Sequence, residues 1–313
     1  MSTLDARPTD GGDVMLPFLL DAGLVRGRLV RLGPALDTIL LGHDYPLDVA
    51  ERLAETITVA AALAGALKYD GVFTLQIQGD GPISLMVADV TSAGDLRAYA
   101  RFDAERLAAA PAGAPVPRCF GKGFLAFTVD QGPDTDRYQG IVELEGDTLA
   151  DSARAYFERS EQLDTEMVLA VRPPGRHGGW RSGMVTIQRM PLGPRSPIFT
   201  SDEAGEAWNR SIILLKSLRT EELLDPTIAP ARLLHRLYHA DGLATDPARA
   251  LAARCRCSAA RVGGTLRAFP RNEIETLKDE SGEVVVTCEF CKTRYHYSAT
   301  DLEALYMSVS DTP

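Results

Sequence analysis

The chain has 313 residues and a mass of 33.9 kDa, 45% of it hydrophobic and 24% charged, which is ordinary for a folded protein with a core and room for a second, smaller unit. A formal charge of −10 and a pI near 5.1 argue against general nucleic-acid binding, which needs basic surface to displace counterions from phosphates. No run approaches the roughly eighteen apolar residues of a membrane span, and the polar, acidic N-terminus lacks an apolar signal region, so a cytoplasmic protein without a membrane partner is expected.

Residues 1–15 read as a loose tail, and Val25–Val30 as a strand. From Leu47 to Lys68 the residues Val49, Leu53, Ile57, Ala60, Ala64 and Leu67 recur every three or four positions, which predicts a helix with Pro46 suited to its first turn. Phe73, Leu75 and Ile77 alternate with polar residues, and Gly79-Asp-Gly-Pro82 turns the chain into Ile83–Val87, a hairpin. That glycine-containing turn lacks the lysine and hydroxyl of a phosphate loop and the third glycine of a dinucleotide site.

Further strands are expected at Gly123–Val129, Tyr138–Leu144, Met167–Val171 and Met184–Met190. Thr148 with Asp151 three residues on is a capping-box signature that opens a helix with the apolar stripe Leu149, Ala153, Tyr156 and Phe157. Strand runs interrupted by isolated helices, without strict alternation, give an α+β fold. The proline-rich Pro191–Pro197 breaks the chain, so residues 1–194 are expected as an α+β N-terminal domain, 195–250 as a helical linker and 251–313 as a small C-terminal zinc-binding domain.

In the linker, Trp208, Ile212, Leu215 and Leu218 form a stripe, and Ile213 and Leu214 complete an apolar turn. An amphipathic surface helix needs one oily face, so this one is expected to bury more than one side. After Pro230, Leu233, Leu234, Leu237 and Tyr238 share a face. The segment is either a packed connector or an apolar surface uncovered on demand, and Trp208, Ile212, Leu215 and Leu218 are its candidate client-binding residues.

Four of the five cysteines lie in the last fifth of the chain, as Cys255-Arg-Cys257 and, thirty residues on, Cys288-Glu-Phe-Cys291. Two close pairs separated by such a loop are a metal-ligand pattern, because two short chelates fold back to complete one tetrahedron, and four thiolates suit Zn²⁺. One ion per chain is expected. The single residue between Cys255 and Cys257 is unusual for a purely structural knuckle, and neighbouring thiolates on a tight loop are well placed for disulfide formation, so the site reads as both zinc-binding and redox-active. Cys119 stands apart as a small buried or half-buried thiol with no task, and His296 as a surface or satisfied histidine beside an already complete set of four sulfurs.

With those residues in view, the chain closely resembles the 33 kDa redox-regulated chaperonin (heat-shock protein 33) family over nearly its full length. The resemblance rests on His43–Pro46, Lys68–Gly71, Gln76–Pro82, Tyr138–Gly140, Leu144–Ala150, Arg159–Leu163, Glu221–Leu224, Leu237–His239 and the cysteine spacing. It implies an α+β domain, a helical linker and a zinc-binding redox switch in an ATP-independent holdase for unfolding proteins under oxidative stress, not an enzyme. It further implies that Cys255, Cys257, Cys288 and Cys291 bind zinc when reduced, that Cys255 pairs with Cys257 and Cys288 with Cys291 on oxidation, and that dimers form on activation. Lys292 departs from the family, where a glycine commonly follows the last cysteine.

Two rivals come from other classes. A zinc-ribbon nucleic-acid module conflicts with the acidic charge. A thiol-disulfide oxidoreductase built on Cys288-Glu-Phe-Cys291 would place that motif at a helix start after a strand, yet Lys292–Tyr297 reads as extended, and Cys-x-Cys goes unexplained.

Overall fold

In a computed structural model, residues 12–109, 115–132, 138–176, 178–191 and 199–307 are described. Residues 1–11 of the expected tail, and most of the Pro191–Pro197 break with the boundary at 194, lie outside them. The chain divides into two compact units, Met1–Ala253 and Arg254–Pro313. The helices expected as a linker belong to the first unit.

That unit contains two sheets. The first joins β1 (Val14–Leu20), β2 (Val25–Leu32), β8 (Thr165–Arg172), β9 (Arg181–Arg189) and the two-residue strands β10 (Ala244–Thr245) and β11 (Arg249–Ala250). The second runs in the order β12 (Ala252–Ala253), β5 (Asp95–Phe102), β4 (Ile83–Thr91), β3 (Val72–Gly79), β6 (Gly123–Asp130) and β7 (Tyr138–Glu143). All these pairings are antiparallel except that of β12 with β5.

The Leu47–Ala64 helix lies against strands of both sheets, and thirteen of its eighteen residues are buried. Two flanking sheets demand apolar or small residues nearly all round, which explains the alanine-rich second half. It ends at Ala64 rather than Lys68, with Gly65 as C-cap, and Pro46 is its N-cap rather than part of the first turn. Met15, Leu36, Ile57, Phe73 and Phe127 belong to the core around it.

Several expectations need correction. Val14 and Met15 are not tail but strand: Asp13 accepts hydrogen bonds from the backbone N–H groups of Gly33 (2.6 Å) and Ala35 (2.8 Å), anchoring the chain just before β1. Thr148 and Asp151 do form the capping box of the Leu149–Ser160 helix.

The Ser201–Lys216 helix and the Pro230–Tyr238 helix cover the outer face of the first sheet. Trp208, Leu215, Leu218, Leu233, Leu234 and Tyr238 pack with Phe18, Leu29, Val185 and Ile187, while Ile212 and Leu237 are half-buried. Ile213 is 69% exposed, so the first helix buries a single face and the expectation of more than one fails. The sheet offers one flat surface, and a helix lying on it turns Ile213 to water. Buried Arg31 of β2 fastens this layer, donating to the carbonyl oxygens of Glu222 (2.8 Å) and Ile228.

Candidate metal centre

Among its described residues the second unit has a core of only five buried hydrophobic residues, Leu266, Ile274, Val284, Tyr297 and Leu302. Its framework is the hairpin of β13 (Val284–Thr287) and β14 (Arg294–Tyr297), flanked by the Ala259–Arg267, Arg271–Glu275 and Ala299–Met307 helices. β-Branched Val284, Val285, Val286 and Thr287 favour the first strand, and the alternation of Tyr295 and Tyr297 with exposed Arg294 and His296 makes the second half-buried.

Cys288 and Cys291 occupy the turn between these strands. The Cys288 N–H donates to the Thr293 carbonyl at 2.9 Å, and the Lys292 N–H donates to the Cys288 carbonyl at 2.8 Å. Closing that loop places Lys292 at φ 56°, the left-handed region where glycine is at ease and a side chain is strained. The unusual lysine noted in the sequence therefore stands where the turn favours glycine. Cys255 and Cys257 precede the Ala259–Arg267 helix, whose N-cap Ser258 accepts from the Arg261 N–H.

These two segments bring four half-buried sulfurs together, all within 4.8 Å of one another. Cys255 Sγ lies 3.8 Å from Cys288 Sγ, and Cys257 Sγ lies 3.3 Å from Cys291 Sγ. Tetrahedral metal–sulfur bonds of about 2.3 Å put the sulfurs about 3.8 Å apart. The donor set fits a thiophilic tetrahedral ion, and the four cysteines can hold one. None of the four is in a disulfide here, and such mutual closeness does not by itself choose a disulfide pairing.

The electrostatics of the cluster follow from crowding. Burial pushes the Cys257 thiol up to about 12 against the Tyr295 hydroxyl, which donates to Cys257 Sγ at 3.1 Å. Burial raises Cys288 as well. Burial acts the same way on Cys291, but the Thr293 hydroxyl and N–H and the neighbouring Cys257 thiol outweigh it and bring it down to about 7. Four negative sulfurs this close repel one another, so protons leave fully only when a cation replaces them.

The structure thus brings together all four cysteines singled out in the sequence. Cys119 is buried in the first unit, and burial raises its pKa. His296 is exposed and pairs with Glu283 at 3.2 Å. Thr293 and Tyr295 escaped sequence reasoning. Their only signal is that they follow Cys291 by two and four positions, the alternation that turns both toward one side of a strand.

A model of the Hsp33 protein family matches residues 13–298. The chain belongs to the Hsp33 family. It is 39% identical over 302 residues to the 33 kDa chaperonin of Caulobacter vibrioides, covering 93% of this chain and 97% of the relative. It is 37% identical to that of Ectopseudomonas mendocina over 293 residues, 92% of this chain and 93% of the other. The fold matches the crystal structure of the 33 kDa chaperonin of Thermotoga maritima, with a TM-score of 0.77 at 22% identity, over 96% of this chain and 100% of that one. The relatives are named chaperonins, not enzymes. The turn position of Cys288 and Cys291, between two strands, also lacks the helix start on which a thiol-disulfide oxidoreductase relies. Among the described residues no helix is long and apolar enough to cross a membrane.

Proposed function

We propose that this protein is a redox-switched holdase: inactive while Cys255, Cys257, Cys288 and Cys291 hold one zinc ion, and able to capture unfolding proteins once those thiols are oxidised. The observation that carries this reading is the placing of four sulfurs within 4.8 Å in a unit whose described residues give a core of five buried hydrophobic side chains. So small a core is marginal by itself. Zinc bound there would cross-link the two cysteine segments, and structural zinc contributes on the order of 10–16 kcal/mol in zinc-finger peptides, nearly all of it folding energy.

Oxidation removes the ligands. A thiolate attacks peroxide, taking one oxygen as sulfenic acid and releasing hydroxide, which becomes water on protonation. A neighbouring thiol then displaces that oxygen as water and leaves a disulfide, a loss of two electrons from the pair. The resemblance assigns the pairs Cys255–Cys257 and Cys288–Cys291, so two peroxides convert the whole set. The Thr293 hydrogen bonds that lower Cys291 favour its thiolate form before metal loading.

Without its cross-link the second unit loses its main stabilisation. Its unfolding loosens the helical layer and uncovers the apolar surface around Trp208, Ile212, Leu215 and Leu218 for clients. A cytoplasmic location suits this switch, since thiols there stay reduced until stress. Dimerisation on activation is carried over from the family resemblance.

Zinc content and suppression of aggregation, measured together before and after peroxide, test the proposal. Zinc should fall from one ion per chain toward none as holding activity rises. Activity that appears with zinc retained overturns the switch.

A further inference from the structure

Residues 244–253 form a strap whose hold on the first unit differs in kind from the rest of the fold. They cross the edges of both sheets. Thr245 and Ala244 pair with Phe18 and Leu19, Ala250 and Arg249 pair with Val14 and Met15, and Ala252 and Ala253 run parallel to Asp95 and Leu96. Beyond the paired strands, the N–H of Asp246 donates to Pro17 (3.0 Å), that of Leu251 to Asp13 (3.1 Å), and that of Ala252 to Gly94 (3.0 Å). Residues 244–250 are all exposed, and within the strap only Leu251 is buried.

The strap is therefore held by main-chain hydrogen bonds open to water, the kind of contact found at the low end of local stability. Beneath it the edge strand β1 is apolar, with Val14, Met15, Leu16, Phe18 and Leu20 all buried. Asp13 and Pro17 turn their carbonyls to the strap, and alternation along the strand puts the backbone groups of Met15 and Leu19 on the same edge. The last strap residue, Ala253, stands two positions before Cys255.

We propose that this edge of β1 is a docking site for the extended backbone of unfolded polypeptides, which add to it as a strand when the strap lets go. The inference rests on the redox-switch reading above: the strap is anchored at its far end by the unit that oxidation unfolds. An uncovered sheet edge presents unpaired N–H and C=O groups that pair with any extended chain. Recognition through the main chain is indifferent to sequence, which is what binding of diverse unfolded proteins requires. A folded protein, its own backbone already paired, has nothing to offer this edge. The strap is in effect a strand-shaped occupant supplied by the chain itself, and Pro17, lacking an N–H on that side, limits how firmly any occupant pairs.

Hydrogen exchange of the full-length protein tests this, with reduced, carboxymethylated α-lactalbumin as a permanently unfolded client that has no thiol to form mixed disulfides. Suppression of the heat-induced aggregation of a second, thermolabile client is measured on the same protein preparations. Peroxide should speed exchange in residues 244–253 and 13–20 by about tenfold or more, and adding the client should restore protection to 13–20 alone. An oxidised protein that suppresses aggregation while 13–20 gains no protection holds clients elsewhere, and the inference falls with the redox switch intact. Failure to suppress aggregation at all removes the switch reading and this inference with it. Protection of 13–20 that grows with protein concentration in the absence of client means that a second copy takes the edge, which also overturns the assignment. Asp246→Pro removes one strap hydrogen bond from an exposed position. With its zinc retained it should already hold client while reduced, and a folded, zinc-loaded variant with a loosened strap but no holding counts against the proposal.

Discussion

The hydroxyl of Tyr295 donates a hydrogen bond to the sulfur of Cys257 at 3.1 Å, tying the second strand of the hairpin to the other cysteine pair across 38 positions of sequence. Outer partners of this kind orient a ligand and favour its charged form. Tyr295→Phe keeps the ring but loses the bond, and should weaken zinc affinity about tenfold, within the range known for such partners. Competition with a chromophoric chelator measures it. Unchanged affinity would make the phenol a packing group only.

The left-handed Lys292 leads to an opposite expectation. Lys292→Gly relieves a conformation that costs a side chain roughly 1 kcal/mol. It also loses the exposed ion pair of Lys292 with Glu289, 3.0 Å, a type worth about 0–1 kcal/mol. Denaturation of the zinc-loaded protein should show the second unit equally stable or slightly more so. A clear loss of stability would mean that the lysine side chain supports the turn.

Thiol reactivity should separate five cysteines into four and one. In the metal-stripped, reduced protein Cys255, Cys257, Cys288 and Cys291 lie in a unit that has lost its cross-link and are open to alkylation, whereas Cys119 is buried in the first unit. Mass spectrometry should find Cys119 modified last. Cys119→Ser should leave zinc content unchanged, while Cys288→Ser should lose the ion.

Within the helical layer two positions of one apolar run make opposite predictions. Leu215 is fully buried, and Leu215→Ala should cost about 2–5 kcal/mol, loosen the layer and raise dye binding in the reduced protein. Ile213 is exposed, so Ile213→Ser should leave both stability and dye binding near wild type. If instead the Ile213 variant alone loses client holding, clients use the face already open to water.

Acid should act on the same layer. Burial tends to raise the Glu166 carboxyl, but the Lys216 ammonium at 3.0 Å, the Met167 N–H and Arg154 outweigh it and hold it below its ordinary value. A folded-state value lowered in this way means stability present above the unfolded pKa of about 4.3 and lost as pH falls through the folded value. Lys216 ends the Ser201–Lys216 helix, so this helix should detach from β8 earlier on acidification than the inner core unfolds. Tryptophan fluorescence of a Trp180→Phe background, where Trp208 is the single reporter, measured from pH 6 to 3 follows it. A Glu166→Gln variant should show a weaker acid dependence.

The residues alone made much of this protein legible, and what they determined is local. Cys-x-Cys and Cys-x-x-Cys define two chelates within a few bonds, the Thr148–Asp151 box closes within one helical turn, and the alternation from Phe73 to Ile77 declares a strand without reference to anything distant. Family membership was legible too, because it is a property of the sequence as a whole.

Only the tertiary structure decided which faces of those elements are covered. β1 carries Pro17 beside a polar tail and reads poorly as a strand, yet three neighbours and the Asp13 anchor hold it. The strap strands are two residues long, too short for any periodicity, and exist through the edges they meet. Ile213 and Leu215 look alike in an apolar run, and the flat sheet beneath buries one and leaves the other in water. Tyr295 becomes part of the sulfur cluster only because the hairpin folds back beside Cys257. Local periodicity states what a segment is able to bury; the long-range pairing that loop closure makes available decides what it does bury.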